Sequence, residues 1–264
     1  MKLAISGKGG VGKSTIAGTL ARLYADAGHR VLAIDADPDA NLASALGLPS
    51  ELRAGIRTIA TERKLIEERT GAKVNEFGQI FKLNPDVSDI AERYAVRYRG
   101  VDLLVLGAVQ RAAGGCACPE SVLLKSLVLH LTMRRDDVLI LDMEAGIEHL
   151  GRGTAMGVDV MLVVVEPGRR SIETAHRIRQ MSAAIGIRRF AIVLNKSTQP
   201  EEEREWVAGE FGPGLLVGVI PFDQQVASAD RLGLSILDLG NGDLAAPFRR
   251  LQENLDLQIK ESAA

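Results

Sequence analysis

Three groups of residues in this chain combine types and spacings that can do chemistry. The first is Gly7-Lys8-Gly9-Gly10-Val11-Gly12-Lys13-Ser14. Its glycines let the backbone turn tightly, so the N–H groups of Gly9, Gly10, Val11, Gly12, Lys13, Ser14 and Thr15 can converge on one anion. The helix opening there adds its positive end. Such a loop cradles the phosphates of a nucleotide, with Lys13 reaching the β- and γ-phosphates and the Ser14 hydroxyl binding Mg²⁺. The second group is acidic and lies at strand ends: Asp35, Asp37 and Asp39 in one short segment, and Asp142 closing Val138-Leu139-Ile140-Leu141. The third is Cys116-Ala117-Cys118, followed by Pro119.

The elements that must position these groups can be read from hydrophobic pattern. Met1–Ser6 is an apolar strand, and the helix over Lys13–Ala27 buries Ile16, Leu20, Leu23, Tyr24 and Ala27 on one face. Gly28 stops that helix, and Arg30–Asp35 is a second strand. Val101–Leu106, Val138–Asp142, Val160–Val165, Phe190–Leu194 and Leu216–Ile220 are further strands. Val122–Met133 is an apolar helix, and Ile172, Ala175, Ile178, Met181 and Ile185 mark another. Near-continuous apolar strands alternating with helices predict an α/β fold, a mostly parallel, doubly wound sheet covered on both faces. The chain reads as one domain over 1–264, with 49–99 an insertion of helices and a short hairpin after the second strand.

Composition narrows the function. The 264 residues are 46% apolar and 25% charged, with a net charge of −2. No general basic field attracts nucleic acid or anionic membrane. No stretch approaches the ~20 apolar residues that span a bilayer, and the phosphate loop begins too early for a signal peptide, so the expected location is cytoplasmic. The chain has two cysteines, one residue apart. That spacing makes a poor structural staple, and metal binding or redox chemistry is the better reading. In an extended backbone both sulfurs face one side, and Pro119 as first helical residue puts Cys118 near the N-cap, where the dipole favours thiolate. Soft sulfur suits Zn²⁺, Ni²⁺ or an iron–sulfur cluster, and spacing alone does not choose among them.

The string from Lys8 to Ser14 resembles the deviant Walker A loop of the MinD, ParA, ArsA and nitrogenase iron protein group of P-loop NTPases. That resemblance implies a homodimer in which Lys8 reaches the partner's nucleotide and offsets charge on the transferred phosphoryl, as an arginine finger does. It implies that Asp37, in switch I, orients the attacking water and stands with Ser14 and Asp142 about the Mg²⁺. Met143–His149 then forms switch II, with Gly146 permitting movement. Asn195 and the Pro221-Phe222-Asp223 segment correspond to the base-binding positions. Thr198 stands where GTP-binding members carry an aspartate, so the nucleotide is ATP.

The deviant loop, the Cys116-Ala117-Cys118 pair and the run Asp142-Met143-Glu144-Ala145-Gly146-Ile147-Glu148-His149-Leu150 occur together in this order. That combination resembles the CooC-type ATPases that mature nickel-dependent carbon monoxide dehydrogenase. The resemblance implies an ATP-hydrolysing metallochaperone whose two subunits share one Ni²⁺ or Zn²⁺ through both cysteine pairs. Two thiolates from each chain would complete a tetrahedral site. The client would be carbon monoxide dehydrogenase, or another nickel enzyme such as acetyl-CoA synthase. An iron–sulfur electron donor would need a cysteine in switch II, and 143–149 has none. A ParA- or MinD-like positioning ATPase would need a DNA-binding surface or a membrane-targeting tail, and Leu251–Ala264, with Glu253, Asp256 and Glu261, makes a poor basic amphipathic anchor.

Overall fold

The computed structural model describes residues 1–37, 39–73, 76, 79–107, 119–131, 138–144, 157–239 and 242–261. Cys116, Cys118 and the 145–149 part of switch II lie outside the described residues.

The strands are β1 (Lys2–Gly7), β2 (Val31–Ala36), β3 (Val96–Tyr98), β4 (Val101–Val105), β5 (Val138–Met143), β6 (Val160–Val165), β7 (Phe190–Ser197) and β8 (Leu216–Pro221). They form one sheet in the order β3-β4-β2-β5-β1-β6-β7-β8. Every pairing is parallel except β3 with β4, an antiparallel hairpin at one edge. The helices are α1 (Lys13–Asp26), α2 (Leu42–Ala45), α3 (Ser50–Ala54), α4 (Arg63–Thr70), α5 (Ile90–Tyr94), α6 (Pro119–His130), α7 (Arg169–Ile185), α8 (Pro200–Phe211), α9 (Gln224–Leu232) and α10 (Gly242–Glu261).

Side chains alternate between two apolar layers, as successive residues of a strand must. Leu3 and Ile5 of β1 pack with Ile16, Leu20 and Tyr24 of α1 and with Phe248 and Leu251 of α10. Ala4 between them faces the opposite layer, where Leu123 and Leu127 of α6, Ile172 and Ile178 of α7, and Val207 of α8 collect. Strands covered on both faces need apolar residues at every position, and β6 is buried throughout as Val-Met-Leu-Val-Val-Val. The doubly wound parallel sheet expected from the sequence is therefore the fold.

The consequence for function lies at the C-terminal ends of the central strands, where open α/β sheets bind ligands. β1 leads directly into the glycine-rich loop, flanked by the ends of β5 and β6. Parallel register sets Asp142 opposite both Ile5 and Asp35, so two strand-end carboxylates stand side by side under that loop.

Candidate nucleotide site

The loop between β1 and α1 takes its shape from two glycines. Gly7 has φ +153, and a Cβ there would sit 2.4 Å from the Val164 carbonyl oxygen of β6. Gly12 has φ +94, and its Cβ would sit 2.4 Å from Asn195 Nδ2. Neither position admits a side chain without moving its neighbour. Between them the loop bounds a cavity of about 400 Å³.

Among the residues singled out by sequence, Gly9, Gly10, Gly12, Lys13, Ser14, Thr15, Asp37, Asn195, Pro221 and Asp223 line this cavity. Val11 does not: its side chain is buried in the core, and its carbonyl accepts a hydrogen bond from Asn195 Nδ2 at 2.8 Å. Asn195 thus braces the loop from the end of β7. Asp223 caps α9, its Oδ1 accepting from the Gln225 N–H at 2.7 Å. Pro221 closes β8, and Phe222, Val226, Ala227 and Phe248 give that end of the cavity an apolar wall suited to a planar base.

At the phosphate end, Lys13 is buried and its Nζ lies 3.8 Å from Asp37 Oδ2. The two aspartates of the β2 exit divide their work. Asp35 is fully buried and holds the turn, with Oδ1 accepting from the Asp37 N–H at 3.1 Å and Oδ2 from the Leu42 N–H at 2.9 Å. Burial pushes its carboxyl up to about 6, against the lowering effect of those two N–H groups. Asp37 meanwhile points its carboxylate toward Lys13, in the cavity.

Asp142 is the most telling group. It is fully buried, and neither carboxylate oxygen has a hydrogen-bond partner among the described residues. Burial pushes its pKa up to about 7. The nearby Ser14 hydroxyl tempers the rise without closing a hydrogen bond to either oxygen. A buried acid left this way costs stability unless a cation or its water completes it. Asp142 and Ser14 therefore fit a hydrated Mg²⁺, and the donor set is all oxygen, as that ion requires.

Lys8 stands off the cavity, with its side chain 40% exposed and Nζ 3.6 Å from Glu166 Oε1. The cysteines, Cys116 and Cys118, fall outside the described residues, but Pro119 is the first residue of α6. Among the described residues, no three His, Cys, Asp or Glu cluster as metal ligands. No described helix is long and apolar enough to cross a membrane.

Sequence reasoning passed over two contributors. Glu166 follows β6, and Asp142 is the penultimate residue of β5, so the same strand-end logic would have found it. Lys196, next to Asn195 in β7, donates from Nζ to the Gly10 carbonyl at 2.5 Å.

A glycine-rich loop between a central parallel strand and a helix, with a buried strand-end aspartate beneath it, defines a P-loop NTPase domain. The chain belongs to the family described as the CobQ/CobB/MinD/ParA nucleotide binding domain, which matches residues 2–236. It is 46% identical over 239 residues to the carbon monoxide dehydrogenase accessory protein CooC of Rhodospirillum rubrum, covering 90% of each chain. An uncharacterized ATP-binding protein of Methanocaldococcus jannaschii is 42% identical over 238 residues, covering 89% of this chain and 91% of that one. The septum site-determining protein MinD of Pyrococcus horikoshii, solved with Mg-ADP, shares the fold. Its TM-score is 0.67 at 20% identity, covering 97% of this chain and 95% of that one. The resemblance drawn from the loop, the cysteine pair and residues 142–150 is borne out.

Proposed function

We propose that this chain is a cytoplasmic, Mg²⁺-dependent ATPase that works as a homodimer and carries nickel toward carbon monoxide dehydrogenase. The observation that carries the reading is the 46% identity to CooC across 90% of both chains, in a chain that also holds Lys8 and the Cys116/Cys118 pair. We read the 264 residues as one domain.

In this reading the β- and γ-phosphates of ATP lie on the N–H groups from Gly9 to Thr15, with Lys13 against them. Mg²⁺, held by Ser14 and through water by Asp142, supplies charge neutralisation to the phosphate oxygens. Asp37 orients the attacking water. Its 3.8 Å approach to Lys13 Nζ supports that role, since Lys13 marks where the terminal phosphate rests. Lys8 comes from the partner and offsets charge on the transferred phosphoryl. Asn195 holds the loop, and the wall at Pro221–Asp223 receives the adenine. Cys116 and Cys118 from both chains bind one Ni²⁺ or Zn²⁺ across the dimer, with ATP timing its release.

Equilibrium binding of Ni²⁺ and Zn²⁺, with and without ATP, together with mass in solution, tests this. One ion per two chains is expected, lost in Cys116→Ala/Cys118→Ala with ATP binding retained. Unchanged metal stoichiometry in that variant would rule out the cysteine site. An iron-dependent absorbance near 400 nm in anaerobic protein would favour the electron-donor reading instead.

A further inference from the structure

Glu166 has no part in the mechanism above, yet its carboxylate joins the two lysines that flank the phosphate loop. Oε1 lies 3.6 Å from Lys8 Nζ and Oε2 lies 3.9 Å from Lys196 Nζ. Its backbone is anchored, with the Glu166 N–H donating at 3.1 Å to the hydroxyl of buried Ser171 in α7. Lys196 is anchored as well, by its hydrogen bond to the Gly10 carbonyl. It holds that pose from a left-handed backbone with φ +57, a conformation uncommon for a side chain of its size.

We propose that Glu166 is the positioning residue for Lys8. It holds that lysine on its own chain while the subunit is single, and yields it when a partner's nucleotide arrives. The proposal rests on the reading of Lys8 as the lysine that acts across the dimer.

Three features separate this holding contact from a structural salt bridge. Neither distance is that of a direct hydrogen bond, so the attraction is ionic and loose. The Lys8 and Glu166 side chains are 40% and 30% exposed, so the pair is screened and weak enough to exchange. Lys196 stays beside the carboxylate when Lys8 leaves, so release strands no unpaired acid beside the loop. A nucleotide's phosphates carry more charge than one carboxylate already shared by two ammonium groups. Closure of the interface strengthens that attraction further by excluding water.

The test is Glu166→Gln in the full-length protein. ATP hydrolysis and ATP-dependent self-association are measured against protein concentration, with Glu166→Asp and Lys8→Ala alongside. An exposed pair supports a fall of about two- to fivefold in the protein concentration giving half-maximal activity. KM for ATP should not move, Glu166→Asp should stay near wild type, and raised salt should erase the gain by screening the pair in wild type too. In a Lys8→Ala background, Glu166→Gln should leave self-association unchanged, because the contact it removes is already gone. A merely structural role would instead weaken self-association in both backgrounds.

A Glu166→Gln variant that hydrolyses less, or matches wild type at every concentration, overturns the proposal. If Lys8→Ala is itself fully active, the trans-lysine reading fails first. If Lys8→Ala is inactive and Glu166→Gln has no effect, only the holding role of Glu166 fails.

Discussion

Replacing Asp142 with asparagine isolates the cost of keeping a carboxylate buried beneath the phosphate loop. Burial raises the Asp142 pKa from an ordinary 3.8 to about 7. Between those values the folded chain binds a proton that the unfolded chain has released, so wild-type stability declines as pH rises, and levels off above about 7. At about 1.4 kcal/mol per pH unit, the decline due to Asp142 between pH 5 and pH 8 approaches 3 kcal/mol. Its neighbour Asp35 is also raised, to about 6, and the two carboxyls interact, so about 2 kcal/mol is the expected observable change. The asparagine side chain cannot ionise. Its amide carries a pH-independent penalty, which drops out when only the pH dependence is compared. Urea denaturation of nucleotide-free wild type and Asp142→Asn at several pH values measures this directly. The variant should gain on wild type steadily from pH 5 to 7 and hold that gain at pH 8. Saturating Mg-ATP should stabilise wild type more than the variant, because in the proposed site only the carboxylate completes the cation. A difference between the proteins that is flat with pH, or that shrinks as pH rises, would refute the argument.

Two further substitutions probe the loop. Gly12→Ala places a Cβ in left-handed backbone, at about 1–2 kcal/mol, and 2.4 Å from Asn195 Nδ2. It should fold with a lowered Tm and lose ATP affinity by more than about tenfold, and wild-type affinity by calorimetry would contradict the cradle geometry. Asn195→Ala removes the hydrogen bond to the Val11 carbonyl, worth about 0.5–1.5 kcal/mol, so KM for ATP should rise about two- to tenfold with kcat little changed. An unchanged KM would show that the brace is dispensable.

Much of this architecture is legible in the sequence, and the reason is physical. Strands buried on both faces must be apolar at consecutive positions, so β1, β2, β4, β5, β6, β7 and β8 stand out as runs. The phosphate loop is equally legible because its chemistry is local and needs particular residues at fixed spacing. β3 is a three-residue edge strand, too short for any period to register. Between β2 and β3 the helices are brief, four to eight residues each, and give little amphipathic signal. Helix α6 begins at Pro119, three residues before its apolar run, because proline starts a helix without needing an N–H partner. Long-range roles are hidden for a different reason. The brace from Asn195 to Val11 spans 184 residues, and the Glu166 contact to Lys8 joins two strand ends made neighbours only by sheet order. The division between Asp35 as turn holder and Asp37 as cavity acid likewise depends on which carboxylate meets the Leu42 N–H.

The central claim is that Lys8 serves the nucleotide of the other subunit, and mixing two inactive variants tests it most directly. Lys8→Ala keeps its own Asp37 but offers no lysine to its partner, while Asp37→Asn offers Lys8 but cannot hydrolyse its own ATP. If Lys8 acts in trans, each mixed dimer contains one complete site. An equal mixture, with half its dimers mixed, should then recover about a quarter of the wild-type ATPase rate. If Lys8 acts within its own chain, no site in the mixture is complete, and the rate will stay at the average of the two variants alone.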